Sequence, residues 1–233
     1  MTLIILRNTK SEVVMKKYIR FFFICGMIMF LSELWKQYCI TFIINEHRYN
    51  WWYFPFQLCS IPMYLCLMLP FAPENVRKVY LTFLKTFGLM GGIFTFFDTS
   101  GLHYPYAPLT AHSYLWHVLL IIIGVAAGIC QNNYGCSKKS TAWEFSGSAC
   151  CYLGCCALAT AFNIAFHPYG NINMFYISPY YTMGQKVFRD VAGLTGNTAG
   201  IMIYVAANVA GAYVISRIWK CRLICGAKSA FTP

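Results

Sequence analysis

Residues 51–62 read WWYFPFQLCSIP and open an apolar segment. Within this stretch one thiol, Cys59, lies between two prolines. A proline inside a helix has no N–H to donate, and its ring clashes with the carbonyl four residues earlier. We therefore expect Pro62 to free the carbonyl of Leu58 and to distort a helix directly beside Cys59. A thiol in such a place points to a polar partner at the same depth.

The composition around this stretch is that of a membrane protein. Hydrophobic residues make up 58% of the 233 residues and charged residues only 11%, which is too apolar for an ordinary soluble domain. A spanning helix needs about 20 mainly apolar residues. Six windows meet this length: 18–44, 52–72, 78–97, 110–130, 144–166 and 197–219. The sequence predicts an all-α, polytopic membrane protein with six transmembrane helices.

These windows also predict the domain organisation. We expect an N-terminal arm at 1–17, a six-helix membrane domain at 18–219 and a basic tail at 220–233. The first window has the basic flank and short apolar run of a signal peptide. No small-residue cleavage site follows it, since Ser32-Glu33-Leu34-Trp35-Lys36 comes next, so we interpret it as a retained first helix.

The formal net charge of +11 is distributed unevenly. Lysines and arginines concentrate in four segments: the arm, the turns at 77–78 and 138–139, and the tail. These segments are every second connection along the chain, so they lie on the same side of the membrane. The connection 98–109 has none. The positive-inside rule then predicts an N-in/C-in, multi-pass protein of the cell membrane with both termini cytoplasmic. Such flanks favour contact with anionic headgroups of the lipid bilayer, and we expect no nucleic-acid partner.

The twelve cysteines do not have the spacing of a disulfide framework. Four of them cluster at 150–156, where packing is favoured over metal binding because no His or carboxylate lies among them. Cys221 and Cys225 are either palmitoylation sites or plain thiols. We expect no metal and no nucleotide cofactor.

Ionisable residues inside an apolar window are rare and point to function by default. Glu33 and Lys36 are three residues apart and share a helix face, which suits either an ion pair within the helix or a substrate-binding role. His112 and His117 are five apart and face different directions, so they are poor joint metal ligands. Only one of the two histidines is expected to face a buried site.

Depth selects His117 as the partner of Cys59. Each lies seven residues inside its window, which is roughly 10 Å at 1.5 Å per residue. Lys36, Asn163 and Asn208 fall in or near the same half of the windows, which predicts one polar pocket there. We expect the other half to be almost uniformly apolar.

A buried thiol is a poor nucleophile, but an adjacent imidazole can take its proton. Cys59 would attack an ester carbonyl, and His117, within hydrogen-bond reach, would accept and return the proton. A third group, Asn163, Asn208 or Glu33, would orient the imidazole. The plainer interpretation is an inert cysteine and a histidine with a structural hydrogen bond.

The longest connection, 167–196, is rich in aromatic residues suited to the headgroup layer. Aromatic side chains prefer the membrane–water interface. The connection is therefore either a lid that lies on the membrane or a passive aromatic belt.

Three stretches carry a family resemblance: residues 54–62, the His117-Val118-Leu119-Leu120 run, and residues 170–175. They resemble the YwaF-type bacterial integral membrane proteins and their eukaryotic relatives, the transmembrane protein 164 acyltransferases. The resemblance implies that Cys59 accepts acyl groups, that His117 is its base, and that the substrates are phospholipids or lysophospholipids. The androgen-induced lipid hydrolases resemble this layout with threonine in place of cysteine.

Gln57 departs from the bacterial pattern, where a histidine is expected. A helical wheel also points position 57 away from Cys59, so no role is predicted for it. The function that follows from these residues is lipid transacylation through an acyl-cysteine. The alternative is a non-enzymatic transporter or solute-binding subunit, in which Glu33, Lys36 and His117 recognise a polar solute.

Overall fold

The computed structural model describes residues 2–134 and 141–229, with side chains over 13–131 and 142–220, and this part is helical with no strand. The α-helices are α1 (Thr2–Tyr38), α2 (Ile61–Met68), α3 (Glu74–Phe83), α4 (Leu89–Phe94), α5 (Ala107–Tyr134), α6 (Thr141–Phe166), α7 (Lys186–Thr195) and α8 (Asn197–Ser229). Two π-helical segments, Cys39–Ile44 and Leu84–Gly88, extend α1 and join α3 to α4. The prediction of an all-α protein is confirmed.

Four helices of the described chain are long and apolar enough to cross a membrane: Glu74–Phe97, Ala107–Gln131, Ala142–Tyr169 and Asn197–Lys220. They match the last four of the six predicted windows, and they confirm a membrane protein. The windows at 18–44 and 52–72 are not among these four.

The window at 52–72 does not form one helix. Its first part is a 3₁₀ turn (Trp51–Tyr53) followed by an irregular stretch, and α2 contains only eight residues. Eight residues rise about 12 Å, less than half of a hydrocarbon core of about 30 Å. Pro62 lies in the first turn of α2, where its missing N–H is not needed, so α2 begins there. The expected distortion of a helix interior by Pro62 is therefore wrong.

The predicted boundaries of the N-terminal arm, at residues 17–18, and of the tail, at residues 219–220, both lie inside helices. α1 runs without a break from Thr2, so the described part of the 1–17 arm is helical, and α8 continues past residue 220 to Ser229. The side chains of Cys221 and Cys225, and residues 135–140 with Lys138 and Lys139, lie outside the described residues.

The helices pack into one bundle. α1 packs against α2 and α5, the α3–α4 segment against α5 and α6, and α7 against α8. We call the end that holds the connections 45–60, 98–106 and 170–185 the upper end, and the opposite one the lower end. Gly92 on α4 brings its backbone close to α5, since a Cβ there would lie 3.2 Å from the His117 carbonyl oxygen.

The lower half of the bundle contains a buried polar cluster. The Gln131 Nε2, which has two hydrogens to donate, lies within hydrogen-bond distance of three acceptors: Thr82 Oγ1 (3.0 Å), Glu144 Oε2 (3.0 Å) and the Lys78 carbonyl (3.2 Å). Buried polar groups require such partners, and this network ties α3, α5 and α6 together. The expectation of an almost uniformly apolar half is therefore wrong.

Candidate functional site

Cys59 lies in the turn that leads into α2. The Ser60 N–H donates to the Gln57 carbonyl (2.8 Å), which closes this turn, and Ser60 is the N-cap residue. Cys59 is half-buried and packs against the main apolar core. The amino-terminal end of α2, where the helix dipole is positive, is therefore next to the thiol.

Trp116 connects α5 to this turn. Its indole Nε1 donates to the Cys59 carbonyl at 3.1 Å, across 57 residues of sequence. Trp116 directly precedes His117, so this bond ties the backbone of Cys59 to the residue next to His117 on α5. His117 is only 7% exposed, so it faces the protein interior and not lipid.

A backbone carbonyl orients the His117 ring. Nδ1 lies 2.7 Å from the Ser113 carbonyl oxygen, one turn earlier on α5. A carbonyl can only accept, so Nδ1 carries the hydrogen and donates it. In the neutral imidazole the lone pair is then on Nε2, the nitrogen that a general base would use.

None of the three predicted orienting residues touches this ring. Asn163 binds the backbone of Met174, and the Asn208 amide donates to the Tyr204 carbonyl on its own helix at 2.9 Å. The Glu33 carboxylate is engaged with α1 residues. Among the described residues, no hydrogen bond joins the Cys59 thiol to the His117 imidazole. Catalytic hydrogen bonds commonly tighten only in the substrate complex.

Glu33 and Lys36 form an ion pair within α1, which is one of the two alternatives that the sequence left open for them. Their Nζ and Oε2 atoms are 2.8 Å apart, and the side chains are 4% and 15% exposed. The Gln37 amide donates to Glu33 Oε1 (2.7 Å) and to the Tyr53 carbonyl (2.6 Å), which ties α1 to the Cys59 stretch. Nearly complete burial of the pair makes it a fixed part of the upper half of the bundle.

Lys36 is also the shared neighbour of the site residues. Its ammonium lies 5.9 Å from the centre of the Trp116 ring, within cation–π range. The same charge interacts electrostatically with Cys59 and His117. Cys59, His117, Glu33 and Lys36 are thus gathered into one region, whereas Asn163 and Asn208 contact other groups.

The connection after α6 enters the bundle. Ile172 and Met174 are fully buried, as is Asn173, although the prediction puts this stretch at the membrane surface. The Asn163 side chain pairs with both backbone groups of Met174, at 2.6 and 3.0 Å. Residues 172–178 are therefore a buried plug, and neither a surface lid nor an aromatic belt describes them.

Gln57 holds the same plug from the other side. Its Nε2 donates to the Asn173 carbonyl (3.1 Å), and its Oε1 accepts from the Phe175 N–H (2.7 Å). These bonds stabilise two left-handed residues, Phe175 and Tyr176, with φ of 56° and 58°. The sequence analysis missed this role because it placed position 57 on a regular helix.

Two tyrosines complete the upper region. Burial raises the pKa of Tyr176 to about 12, and burial also raises the pKa of Tyr104. Both interact electrostatically with Cys59, and both hydroxyls remain protonated donors at neutral pH. In the sequence they look like ordinary interfacial aromatics, so only the tertiary contacts identify them.

In the described chain, no group of three or more His, Cys, Asp or Glu side chains is placed to hold an ion. The four cysteines at 150–156 point to different surroundings, since Cys150 is exposed and Cys156 is buried. Both ring nitrogens of His112 are buried without a partner, between Trp35 and Trp116.

The comparisons with known proteins give one match. The model of the TMEM164 family matches residues 1–211. No curated protein matches the chain, and no solved structure does. The match confirms the TMEM164 part of the resemblance, whereas its YwaF-type bacterial part stays a prediction.

Proposed function

The chain belongs to the TMEM164 family, and from that premise we propose that it is a membrane-embedded lipid acyltransferase that moves fatty acyl groups between phospholipids through an acyl-cysteine on Cys59. The observation that carries the proposal is the tautomer of His117. With Nδ1–H committed to the Ser113 carbonyl, Nε2 keeps its lone pair to accept a proton, and the preceding residue, Trp116, is bonded to the Cys59 carbonyl.

In the first half-reaction, the Cys59 thiol gives its proton to His117 Nε2, and the sulfur attacks the ester carbonyl of a donor phospholipid. A carbon–sulfur bond forms and the ester carbon–oxygen bond breaks. The leaving alkoxide takes the proton from the imidazolium, which releases a lysophospholipid. The acyl group is then held as a thioester on Cys59.

In the second half-reaction, the hydroxyl of an acceptor lysophospholipid gives its proton to Nε2 and attacks the thioester. The new ester bond forms, the carbon–sulfur bond breaks, and the proton returns to the sulfur. Lys36 and the protonated hydroxyls of Tyr104 and Tyr176 are the donors near Cys59 that could stabilise the negative oxygen of each tetrahedral intermediate.

We further propose six passes of the chain through the cell membrane, with both termini cytoplasmic. In this arrangement the second pass is the short helix α2 with irregular segments at both ends, and the upper end faces outward. Irregular backbone at membrane depth is tolerated where protein surrounds it, as it surrounds Cys59 and the plug. Phospholipids and lysophospholipids of the bilayer are the proposed partners.

The test is mass spectrometry of the purified protein after incubation with phospholipid. We expect a hydroxylamine-sensitive fatty acyl thioester on Cys59, no thioester in Cys59→Ala, and slowing by about 10²–10⁴-fold in His117→Ala. Cys66→Ala, a buried thiol on α2, is the matched control and should keep activity. Full turnover in His117→Ala would refute the base assignment, and absence of any thioester in the wild type would favour the transporter alternative.

A further inference from the structure

A lipid-facing groove runs between α6 and α8. It holds a volume of about 720 Å³, within the range of about 300–1,000 Å³ that is usual for ligand sites. Its floor consists of buried or half-buried residues, and exposed side chains form the two rims. The floor residues are Cys156, Ile177, Val205 and Val209, and the rim residues include Leu153 and Ala206.

The groove offers a polar ligand almost no hydrogen-bonding group. Thr160 is the one hydroxyl-bearing aliphatic side chain in its lining, and that hydroxyl already donates to the Cys156 carbonyl at 2.9 Å. Both walls belong to helices that are long and apolar enough to cross a membrane. Hydrocarbon is therefore the chemistry that fits this space.

The groove is long as well as apolar. The α8 wall runs from Ile201 to Tyr213, about 18 Å along the helix axis. The length of this wall, about 18 Å, exceeds the thickness of hydrocarbon in one leaflet, which is roughly 15 Å.

Each end of the groove has a defined boundary. At the upper end, Ile177 belongs to the plug, which Gln57, two residues before Cys59, binds from the other side. Tyr204 is buried on α8, next to the groove residue Val205. At the lower end, the rings of Phe145 and Tyr213 meet edge to face at 5.4 Å and close the groove.

We infer that this groove, defined by α6, α8 and Ile177, binds the fatty acyl chain of the lipid substrate, and that the Phe145–Tyr213 pair sets the longest chain accepted. The inference rests on the proposed acyl transfer for its role, but binding in the groove is a separate property. A chain with its carboxyl carbon at Cys59 would pass Tyr204 and extend toward Phe145.

Binding is tested without turnover in the Cys59→Ala protein. The probe is a phosphatidylcholine whose acyl chain carries a diazirine near its terminus, in vesicles of unlabelled phospholipid. We expect labelling of α6 and α8 peptides near Phe145 and Tyr213, reduced at least tenfold by Ala210→Phe and unchanged by Ala161→Phe, an exposed alanine of α6 outside the groove. Labelling that Ala210→Phe leaves unchanged would show bulk lipid contact only and would overturn the inference.

Chain length is tested in the active protein. Phe145→Ala should raise the rate with acyl chains longer than the best substrate relative to that substrate, and Ala210→Phe should shift the preference to shorter chains. An unchanged chain-length profile in both variants would refute the claim that the Phe145–Tyr213 pair sets the longest acyl chain accepted. Loss of labelling specificity with an intact Cys59 thioester would refute the groove alone, whereas specific labelling without a thioester would refute only the acyl transfer.

Discussion

The Gln57→Ala substitution should release the plug at 172–178. It removes two hydrogen bonds, to the Asn173 carbonyl at 3.1 Å and from the Phe175 N–H at 2.7 Å. The Phe175 N–H is then left unpaired in buried surroundings, whereas the Asn173 carbonyl still accepts from the Tyr176 N–H at 3.3 Å. At about 1–3 kcal/mol for the unpaired N–H and about 0.5–1.5 kcal/mol for the lost bond to the carbonyl, we expect a local destabilisation of about 2–4 kcal/mol. Left-handed backbone at Phe175 and Tyr176 is itself unfavourable and adds to the tendency to open.

Hydrogen–deuterium exchange in detergent micelles measures this effect. Because 1.4 kcal/mol corresponds to a factor of ten, the amide of Phe175 should exchange about 30–1,000 times faster in Gln57→Ala than in the wild type. Gln185→Ala is the matched control, since its side chain lies in the same connection and does not cap α7. Exchange at Phe175 no faster than in Gln185→Ala would refute the reasoning.

A double-mutant cycle with Asn163→Ala extends the test. Asn163 pairs with both backbone groups of Met174, so it holds the same plug as Gln57. Once either side chain is lost, the plug opens, and removal of the other side chain then destabilises the plug less. We expect the two substitutions to be non-additive by about 0.5–3 kcal/mol, and full additivity would show that each bond acts locally.

Three further substitutions test the upper half of the bundle by thermal unfolding in detergent. Trp116→Phe loses the bond to the Cys59 carbonyl and should cost about 1 kcal/mol, and a cost near zero would contradict that bond. Glu33→Gln leaves the Lys36 ammonium without its carboxylate and should cost about 3 kcal/mol, whereas Glu33→Leu combined with Lys36→Met should recover much of this loss. Gly92→Val places methyl groups against α5 and should cost about 1–3 kcal/mol, and an unchanged midpoint would contradict the close approach there.

The Glu33–Lys36 ion pair and the window at 52–72 show what a sequence pattern can predict and what it cannot. Glu33 and Lys36 are three residues apart on one helix, so their pairing follows from local geometry and was predictable. The short α2 was not, because an apolar window has the same composition whether it is one helix or a turn followed by a helix. The position of Pro62, at the helix start and not inside it, depends on where the preceding turn ends.

Some residues of the candidate site were also predictable from the sequence, whereas others were not. The sequence singled out Cys59 and His117 from their depth in apolar windows, and the structure brings residue 116 to the Cys59 carbonyl. It did not identify the Ser113 carbonyl as the partner of His117, because any residue type supplies a carbonyl. Gln57 was missed because its partners lie 116 and 118 residues away, beyond the reach of any local period.

The sequence by itself determined that this chain is an all-helical membrane protein, because the hydrophobic effect acts on composition and window length whatever the packing. Only the tertiary structure decided which polar groups meet. In a membrane interior each buried polar group must find a partner, and that partner is chosen by the packing of distant segments, as Gln57 and Asn163 both find the plug.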